Sequence, residues 1–442
     1  MVQQKTPSIG FISLGCPKAG SDTEKILSRV RSEGYQISPD YEKSELVVVN
    51  TCGFIDSAID ESLNAIDEAL QKNGKVIVTG CLGEKREIIE KKFNNLIAIT
   101  GSEAVDDVMN AIHQTVPKPH NPFEDLIPKS GIRLTPKHYA YIKISEGCNH
   151  KCSFCIIPSM RGKLVSRSLA DILKEAENLV SEGVRELIII SQDTSAYGVD
   201  FQLKTSFYNG KPLKNDFYNL ILELKKLGVW VRLHYVYPYP HVDKIINLMD
   251  DETILPYLDI PFQHASPKIL KSMRRPGNFE SNIERIIRWR KEKPGLSIRS
   301  SFIVGYPGET DEDFNLLLEF IREANIDHVG CFKYSDVEGA TSKALSDKVP
   351  ASLINERYDI LMQTQQEVSE MNLRKLINTS CRVVVDEVQN DFAISRSYRS
   401  APEVDGVVFL QSPQGLQPGD ELDVKIYDSD EYNLYAGPDI DD

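Results

Sequence analysis

Residues 145–162 read SEGCNHKCSFCIIPSMRG and place Cys148, Cys152 and Cys155 within eight residues. Three thiolates are one too many for a disulfide and one too few for a closed four-ligand zinc site. A gap of three residues and then of two suits a loop wrapped over one face of a [4Fe–4S] cube. Each thiolate then holds one iron, and the fourth iron keeps an open position for a small ligand. His150 lies inside the loop and offers a fourth ligand, so zinc stays open as an alternative.

A second set of three is scattered. Cys16 follows FISLG, Cys52 follows VVVNT and Cys81 follows VIVTG. Each falls just past an apolar run, in a Gly-bearing loop, where a core cysteine would fall mid-strand. If those runs are consecutive parallel strands, their carboxyl ends share one sheet edge and the three loops converge there. That turns wide spacing into a second three-thiolate site, and the alternative is three buried cysteines. Cys331 and Cys381 lie inside apolar strand patterns and read as core.

The elements that must position these sites fall into three segments. Over residues 7–115, Val/Ile-rich runs alternate with amphipathic helices, which predicts a doubly wound parallel sheet covered on both faces. Asp56, Ser21 and Ser102 read as helix N-caps there. Residues 116–137, rich in proline, read as a linker. Over 138–372 come six strand–helix units, with strands in YAYIKIS, ELIIISQ, WVRLHYV, YLDIPFQ, SIRSSFIVG and HVGCFKYS. They predict a partial (β/α)6 barrel with its reactive groups at the carboxyl ends of the strands. Over 376–442, short strands and turn signals predict a small antiparallel, OB-like β-barrel.

The chain has 442 residues, 41% of them hydrophobic, and a net charge of −14, as expected of a globular protein of several domains. The acidic excess argues against a generic nucleic-acid binder. Residues 1–15 do not read as a signal peptide, and no run approaches the ~18 apolar residues of a membrane span. The expected compartment is the cytoplasm, with its cysteines reduced.

The cysteine loop directly after YAYIKIS, with Phe154 before its last cysteine, resembles the radical S-adenosylmethionine signature. The order of the two triplets and a terminal barrel resembles the radical S-adenosylmethionine methylthiotransferases along the full length. GFISLGCPK, VVVNTCGFIDSA, VIVTGCLG, ISQDTSAYG, LHYVYPYPH, IPFQHAS and FIVGYPGET also carry the resemblance. One departure is GCPKAGSDTE, where Ala19 and Gly20 replace the family's asparagine and apolar residue. The resemblance implies two [4Fe–4S] clusters, one per triplet, and a TRAM-type terminal barrel. It implies that S-adenosylmethionine binds the open iron of the Cys148, Cys152 and Cys155 cluster and is cleaved there to a radical that takes a substrate hydrogen. The Cys16, Cys52 and Cys81 cluster would carry the sulfur, methylated by a second S-adenosylmethionine.

The family pattern also implies cofactor contacts. Gln192 and Asp193 end the second barrel strand, where the methionyl amino group is held. Arg299 or Ser301 would meet the methionyl carboxylate, with a structural salt bridge as the alternative for Arg299. Gln263 and His264 end the fourth strand and would reach the ribose, with a hydrogen-bonded structural role as the alternative for His264. The protein-modifying branch of the family acts on the β-carbon of an aspartate in ribosomal protein uS12, free or in the small subunit. The other branch modifies tRNA adenosine. From Leu376 onward, four basic residues stand against fourteen acids. Such a barrel repels RNA and attracts a basic protein, so uS12 is the expected partner and no nucleic-acid contact is expected through this barrel. An electron donor and a sulfur source are further implied partners. A non-catalytic iron–sulfur scaffold that docks a ribosomal partner is the alternative of another class.

Overall fold

In a computed structural model, residues 6–116, 131–250, 252–411 and 414–438 are described. The expected linker at 116–137 falls largely outside them. The chain divides into two compact units. The first comprises Met1–Thr135, Glu146–Asn149 and Ile156–Leu164, and the second Pro136–Ser145, His150–Cys155 and Val165–Asp442.

The first unit is built on a five-stranded parallel sheet. In chain order its strands are Ser8–Ser13, Gln36–Ser38, Leu46–Thr51, Val76–Gly80 and Ala98–Ile99. Their order in the sheet is second, first, third, fourth, fifth. The short edge strand Gln36–Ser38 was not expected from sequence. Leu46–Thr51 is buried throughout because both faces are covered. Side chains alternate across a strand, so Leu46 and Val48 pack with Ile26, Val30, Val108 and Ile112, while Val47 and Val49 pack with Ile66, Leu82 and Ile89.

The expected N-caps are displaced. The first helix begins at Pro17, with Cys16 as its N-cap. Proline at the first helical position has its φ preset and lacks only an N–H that would go unpaired anyway, so Ser21 lies inside the helix. Asp56 is the first residue of Asp56–Lys72, not its cap. The helix Val105–Thr115 is capped at Ala104. Ser102 instead donates its N–H to Glu84 Oε1 (2.9 Å) and its hydroxyl to the Met160 carbonyl (3.2 Å).

The second unit carries an open six-stranded sheet. Its strands are Tyr139–Lys143, Glu186–Ile190, Trp230–Leu233, Ile254–Asp259, Ser297–Val304 and His328–Lys333, neighbours in chain order and parallel. Helices cover its outer face; Ile142, Leu187, Ile189, Val231, Leu258, Ile298 and Phe302 point to them. Alternate residues turn inward and include Glu186, Arg232, Tyr257 and Arg299. The inward face is buried as well, so its charged members must be paired there, as Glu186 is with Arg232. The hairpin Thr205–Tyr208 with Lys211–Lys214 was not expected. Its turn is Asn209-Gly210, both at positive φ, as two-residue hairpins require.

A helix, Ala351–Arg374, leads to a closed five-stranded barrel. Its pairs are antiparallel except Val408–Gln411 with Leu434–Pro438, which are parallel. The barrel docks on the sheet of its own unit through buried ion pairs. Arg396 binds Glu186 (2.8 Å) and Asp386 (2.6 Å), Glu186 also binds Arg232 (2.6 Å), and Arg399 binds Asp327 (2.7 Å). Cys331 and Cys381, expected in the core, sit half-buried at its margins. Burial raises both thiols, to about 12 and about 11. No helix among the described residues is long and apolar enough to cross a membrane.

Candidate functional site

Cys52 and Cys81 come directly after strands Leu46–Thr51 and Val76–Gly80, and Cys16 three residues after Ser8–Ser13. The three strands are adjacent in the sheet, although Gln36–Ser38 intervenes in the chain. The strand order reverses between the first and third strands. Cys16 and Cys52 flank that switch point, the place where open α/β sheets bind ligands.

The loops meet closely. A Cβ on Gly15 would lie 3.2 Å from Cβ and 3.5 Å from Sγ of Cys52, and one on Gly53 would lie 2.8 Å from the Leu82 Cα. Gly80 has φ 93°, and a Cβ there would fall 2.2 Å from Asn50 Oδ1. Only glycine lets the strand turn into Cys81 at this spot. Ser62 Oγ accepts the Cys52 N–H (3.0 Å) and donates to its carbonyl (2.9 Å). Asn50 donates to the Ala19 carbonyl (2.8 Å) and Thr23 Oγ1 (2.7 Å), tying the Cys16 helix to the middle strand. At the Gly20 departure, a Cβ would meet no atom within 4 Å, so the glycine is no packing requirement.

One cation serves all three sulfurs. Arg161 is buried in the first unit. Its Nη2 donates to Cys81 Sγ at 3.2 Å, and its Nη1 to Asp22 Oδ2 (3.2 Å) and Glu146 Oε1 (3.0 Å). Burial disfavours its charge, but Cys81, Asp22 and Glu146 outweigh that and hold it protonated. Burial pushes the Cys52 and Cys81 thiols up, Arg161 opposing it at both. At Cys16, crowding of the sulfur also raises the pKa. Lys18, the N–H groups of Ala19 and Lys18, and Arg161 prevail and bring this thiol below its ordinary value. Cys52 also feels Cys16, and Cys81 feels both Cys52 and Cys16. The site therefore gathers three thiols around a fixed positive charge, a donor set that fits an iron–sulfur cluster.

In the central loop, Gly147 has φ 73°, and a Cβ there would fall 2.2 Å from the Lys163 carbonyl oxygen. The Cys148 N–H donates to Gly162 O at 3.1 Å, closing the loop. In the second unit, the Cys155 N–H donates to Cys152 O (3.2 Å) and Phe154 packs with Ile269, Met273, Ile303 and Tyr306. His150 Nε2 bonds Asp193 Oδ2 (2.8 Å) and Tyr239 Oη (2.9 Å), and its ring stacks on Tyr237 at 4.0 Å. Arg275 also lies over the Tyr237 ring, 4.2 Å from its centre, with Nη1 4.0 Å from Cys152 Sγ.

The residues expected to hold S-adenosylmethionine divide. Gln192 and Asp193 follow the carboxyl end of the second strand. The Asp193 carboxylate accepts from His150, Tyr239, Ser195 and the Ala196 N–H, so it braces the His150 loop. Gln263, at φ 72°, bridges backbone to backbone with Ser301 and Ile303, bringing Gln263 and Ser301 together. His264 is enclosed between Glu309 and the Ser266 N–H. Arg299 does not join them. It lies near the amino end of its strand, and its guanidinium pairs with buried Asp405 of the terminal barrel. A buried arginine needs such a partner, and this partner was far away in sequence. Arg161, Ser62, Asn50 and Arg275 escaped the sequence reading, and His150, weighed there as a zinc ligand, instead bonds Asp193 and Tyr239. For Gly80 and Gly147 the signal was present, a glycine beside each cysteine.

Three family comparisons follow the same segments. Residues 8–101 match the uncharacterized protein family UPF0004, 142–321 the radical SAM superfamily and 377–438 the TRAM domain. Among full-length relatives, the ribosomal protein uS12 methylthiotransferase RimO of Methylobacillus flagellatus is 57% identical over 434 residues, covering 98% of both chains. That of Chromobacterium violaceum is 57% identical over 433 residues, 98% of this chain and 99% of its own. The chain belongs to the RimO family of ribosomal protein uS12 methylthiotransferases. The fold is also similar to a radical S-adenosylmethionine methyltransferase, TsrM of Kitasatospora setae solved with cobalamin and a [4Fe-4S] cluster. The TM-score is 0.52 at 15% identity, covering 74% of this chain and 75% of that one. The RimO relatives match this chain over 98% of its length, through all three of these segments.

Proposed function

We propose that this chain adds a methylthio group to the β-carbon of an aspartate in ribosomal protein uS12, using S-adenosylmethionine and two [4Fe–4S] clusters. The observation that carries the reading is the convergence of Cys16, Cys52 and Cys81 at one sheet edge, in a chain whose central segment already supplies Cys148, Cys152 and Cys155. Bound S-adenosylmethionine with a reduced cluster supplies the radical that removes hydrogen from an unactivated carbon, which no side-chain acid or base does readily.

The chain's own residues do the rest. Cys148, Cys152 and Cys155 would hold one cluster, at which S-adenosylmethionine would bind. Gln192, Gln263 and Ser301 line the carboxyl-end region of the barrel and orient the cofactor. His150, braced by Asp193 and Tyr239, fixes the loop between Cys148 and Cys152. Cys16, Cys52 and Cys81 would hold the second cluster, which would supply the sulfur chemistry.

The terminal barrel favours a protein partner over RNA. Asp386 and Asp405 are spent on buried pairs, as are Arg396 and Arg399. Among the described residues, what faces solvent is Glu387, Asp391, Glu403, Asp420, Glu421, Asp423 and Asp428 against Arg382 and Lys425. That surface steers a basic ribosomal protein and repels phosphate. A ribosomal substrate supports a cytoplasmic location. The test is mass spectrometry of uS12 from cells with and without this chain. An added methylthio group on one aspartate only where the chain is present supports the proposal, and identical uS12 in both overturns it.

A further inference from the structure

We propose that Arg161 is a positioning residue that sets the charge felt by a cluster on Cys16, Cys52 and Cys81, and thereby that cluster's reduction potential. This rests on the reading that these cysteines hold a cluster.

The geometry is unusual in two ways. Arg161 lies six residues after Cys155, in the stretch that carries the central triplet, yet it folds into the N-terminal unit. Its side chain is 3% exposed, so its charge is not screened by water. A buried cation is costly unless paired. Here the partners are Asp22, Glu146 and the sulfur of Cys81. Asp22 and Glu146 belong to a knot of carboxylates with Glu103, whose ligand atoms all lie within 4.8 Å of one another. Arg161 thus stands between concentrated negative charge and the thiolates. With it, the sulfurs meet a cation and a hydrogen-bond donor. Without it, they meet uncompensated carboxylates.

Net charge and hydrogen bonds to sulfur are two of the levers that set an iron–sulfur potential. Taking up one electron adds one negative charge to a cluster. A cation 3.2 Å from a ligand sulfur stabilises the reduced form more than the oxidised form. The carboxylates act with the opposite sign, which separates an electrostatic role from mere support of the fold.

The experiment is a redox titration of the reconstituted full-length protein followed by electron paramagnetic resonance, with iron counted per chain. The N-terminal signal is the one lost in Cys16→Ala. Arg161→Gln should shift its potential in the negative direction, Arg161→Lys should largely restore it, and Asp22→Asn should shift it in the positive direction. The central cluster's potential in the same samples should stay unchanged. If Arg161→Gln holds no N-terminal cluster, Asp22→Asn decides alone. Full iron with no shift in Asp22→Asn, or shifts of the same sign in Arg161→Gln and Asp22→Asn, overturns the proposal. A wild-type protein with no N-terminal cluster defeats instead the reading beneath it.

Discussion

Arg161 and Cys81 are eighty residues apart in the chain, and the guanidinium donates to the sulfur at 3.2 Å. This one bond joins the SMRG stretch after the central triplet to the loop that carries the third cysteine of the other triplet. It also explains why burial alone does not set the thiols' behaviour, since the same cation opposes it at Cys52 and Cys81 and adds to the lowering at Cys16.

The three thiols should therefore differ in reactivity when metal is stripped. Cys16 has its pKa lowered, while Cys52 and Cys81 have theirs raised. The thiolate is the nucleophile, so at about pH 7.5 Cys16 carries the largest ionised fraction. Brief treatment with iodoacetamide followed by peptide mapping should find Cys16 alkylated first. Equal labelling of all three would contradict the electrostatic picture.

Gly80→Ala should damage the N-terminal site selectively. The residue sits at φ 93° with Asn50 Oδ1 2.2 Å from the position of a Cβ. Backbone strain of this kind costs about 1–3 kcal/mol, before the clash is counted. Cys81 follows directly and moves with it. Iron should fall by about one cluster of the two while S-adenosylmethionine cleavage persists. Unchanged iron would show that Cys81 tolerates displacement or binds nothing.

Arg299 separates a structural arginine from a cofactor ligand. Asp405, its partner, is buried; burial raises its pKa, but His328, Arg299, the Ala401 N–H and Tyr257 outweigh this and bring it to about 2. A carboxylate held this low stabilises the fold above its unfolded pKa of about 4, and that contribution is lost as pH falls toward about 2. Asp405→Ala should cost about 3–5 kcal/mol, because it leaves Arg299 buried and unpaired. The deficit against wild type should shrink over that acid window in denaturant titrations. Arg299→Ala should lower stability while leaving S-adenosylmethionine affinity in the folded protein unchanged. A large loss of affinity at full stability would return Arg299 to the cofactor.

The exposed acids of the barrel should govern association with uS12. Glu421→Lys, Asp423→Lys and Asp428→Lys together should slow the on-rate more than they change the off-rate, and wild-type affinity should weaken with salt as charges are screened over about 8–10 Å. Asp430 is not a fair target, since it accepts from the N–H groups of Tyr432 and Asn433 and from Tyr435 Oη, and so builds a turn. Tight, salt-sensitive binding of tRNA by the wild type would favour the tRNA-modifying alternative.

Much of this was legible in the chain. Val/Ile runs between amphipathic helices announced the N-terminal sheet, and their ends marked Cys16, Cys52 and Cys81, because strand period and termination are local properties. The Asn209-Gly210 hairpin was equally local and was passed over. The edge strand Gln36–Ser38 was too short to carry a period. The roles of Arg161, Arg299 and Asp193 were not legible, since each is fixed by a partner distant in sequence. The helix starts at Pro17 and Asp56 went against polar side-chain capping because proline geometry and the first-turn preference for acid act one residue further in.

The division of labour between the two triplets is the central claim, and one experiment tests it. Reconstituted wild-type protein, which should hold about eight irons, and a variant with Cys16, Cys52 and Cys81 replaced by alanine are incubated anaerobically with reductant, sulfide, S-adenosylmethionine and uS12. The variant should keep about half the iron and still cleave S-adenosylmethionine, yet leave the mass of uS12 unchanged, while the wild type adds one methylthio group. A methylthiolated uS12 from the variant, or a variant with undiminished iron, would contradict the account.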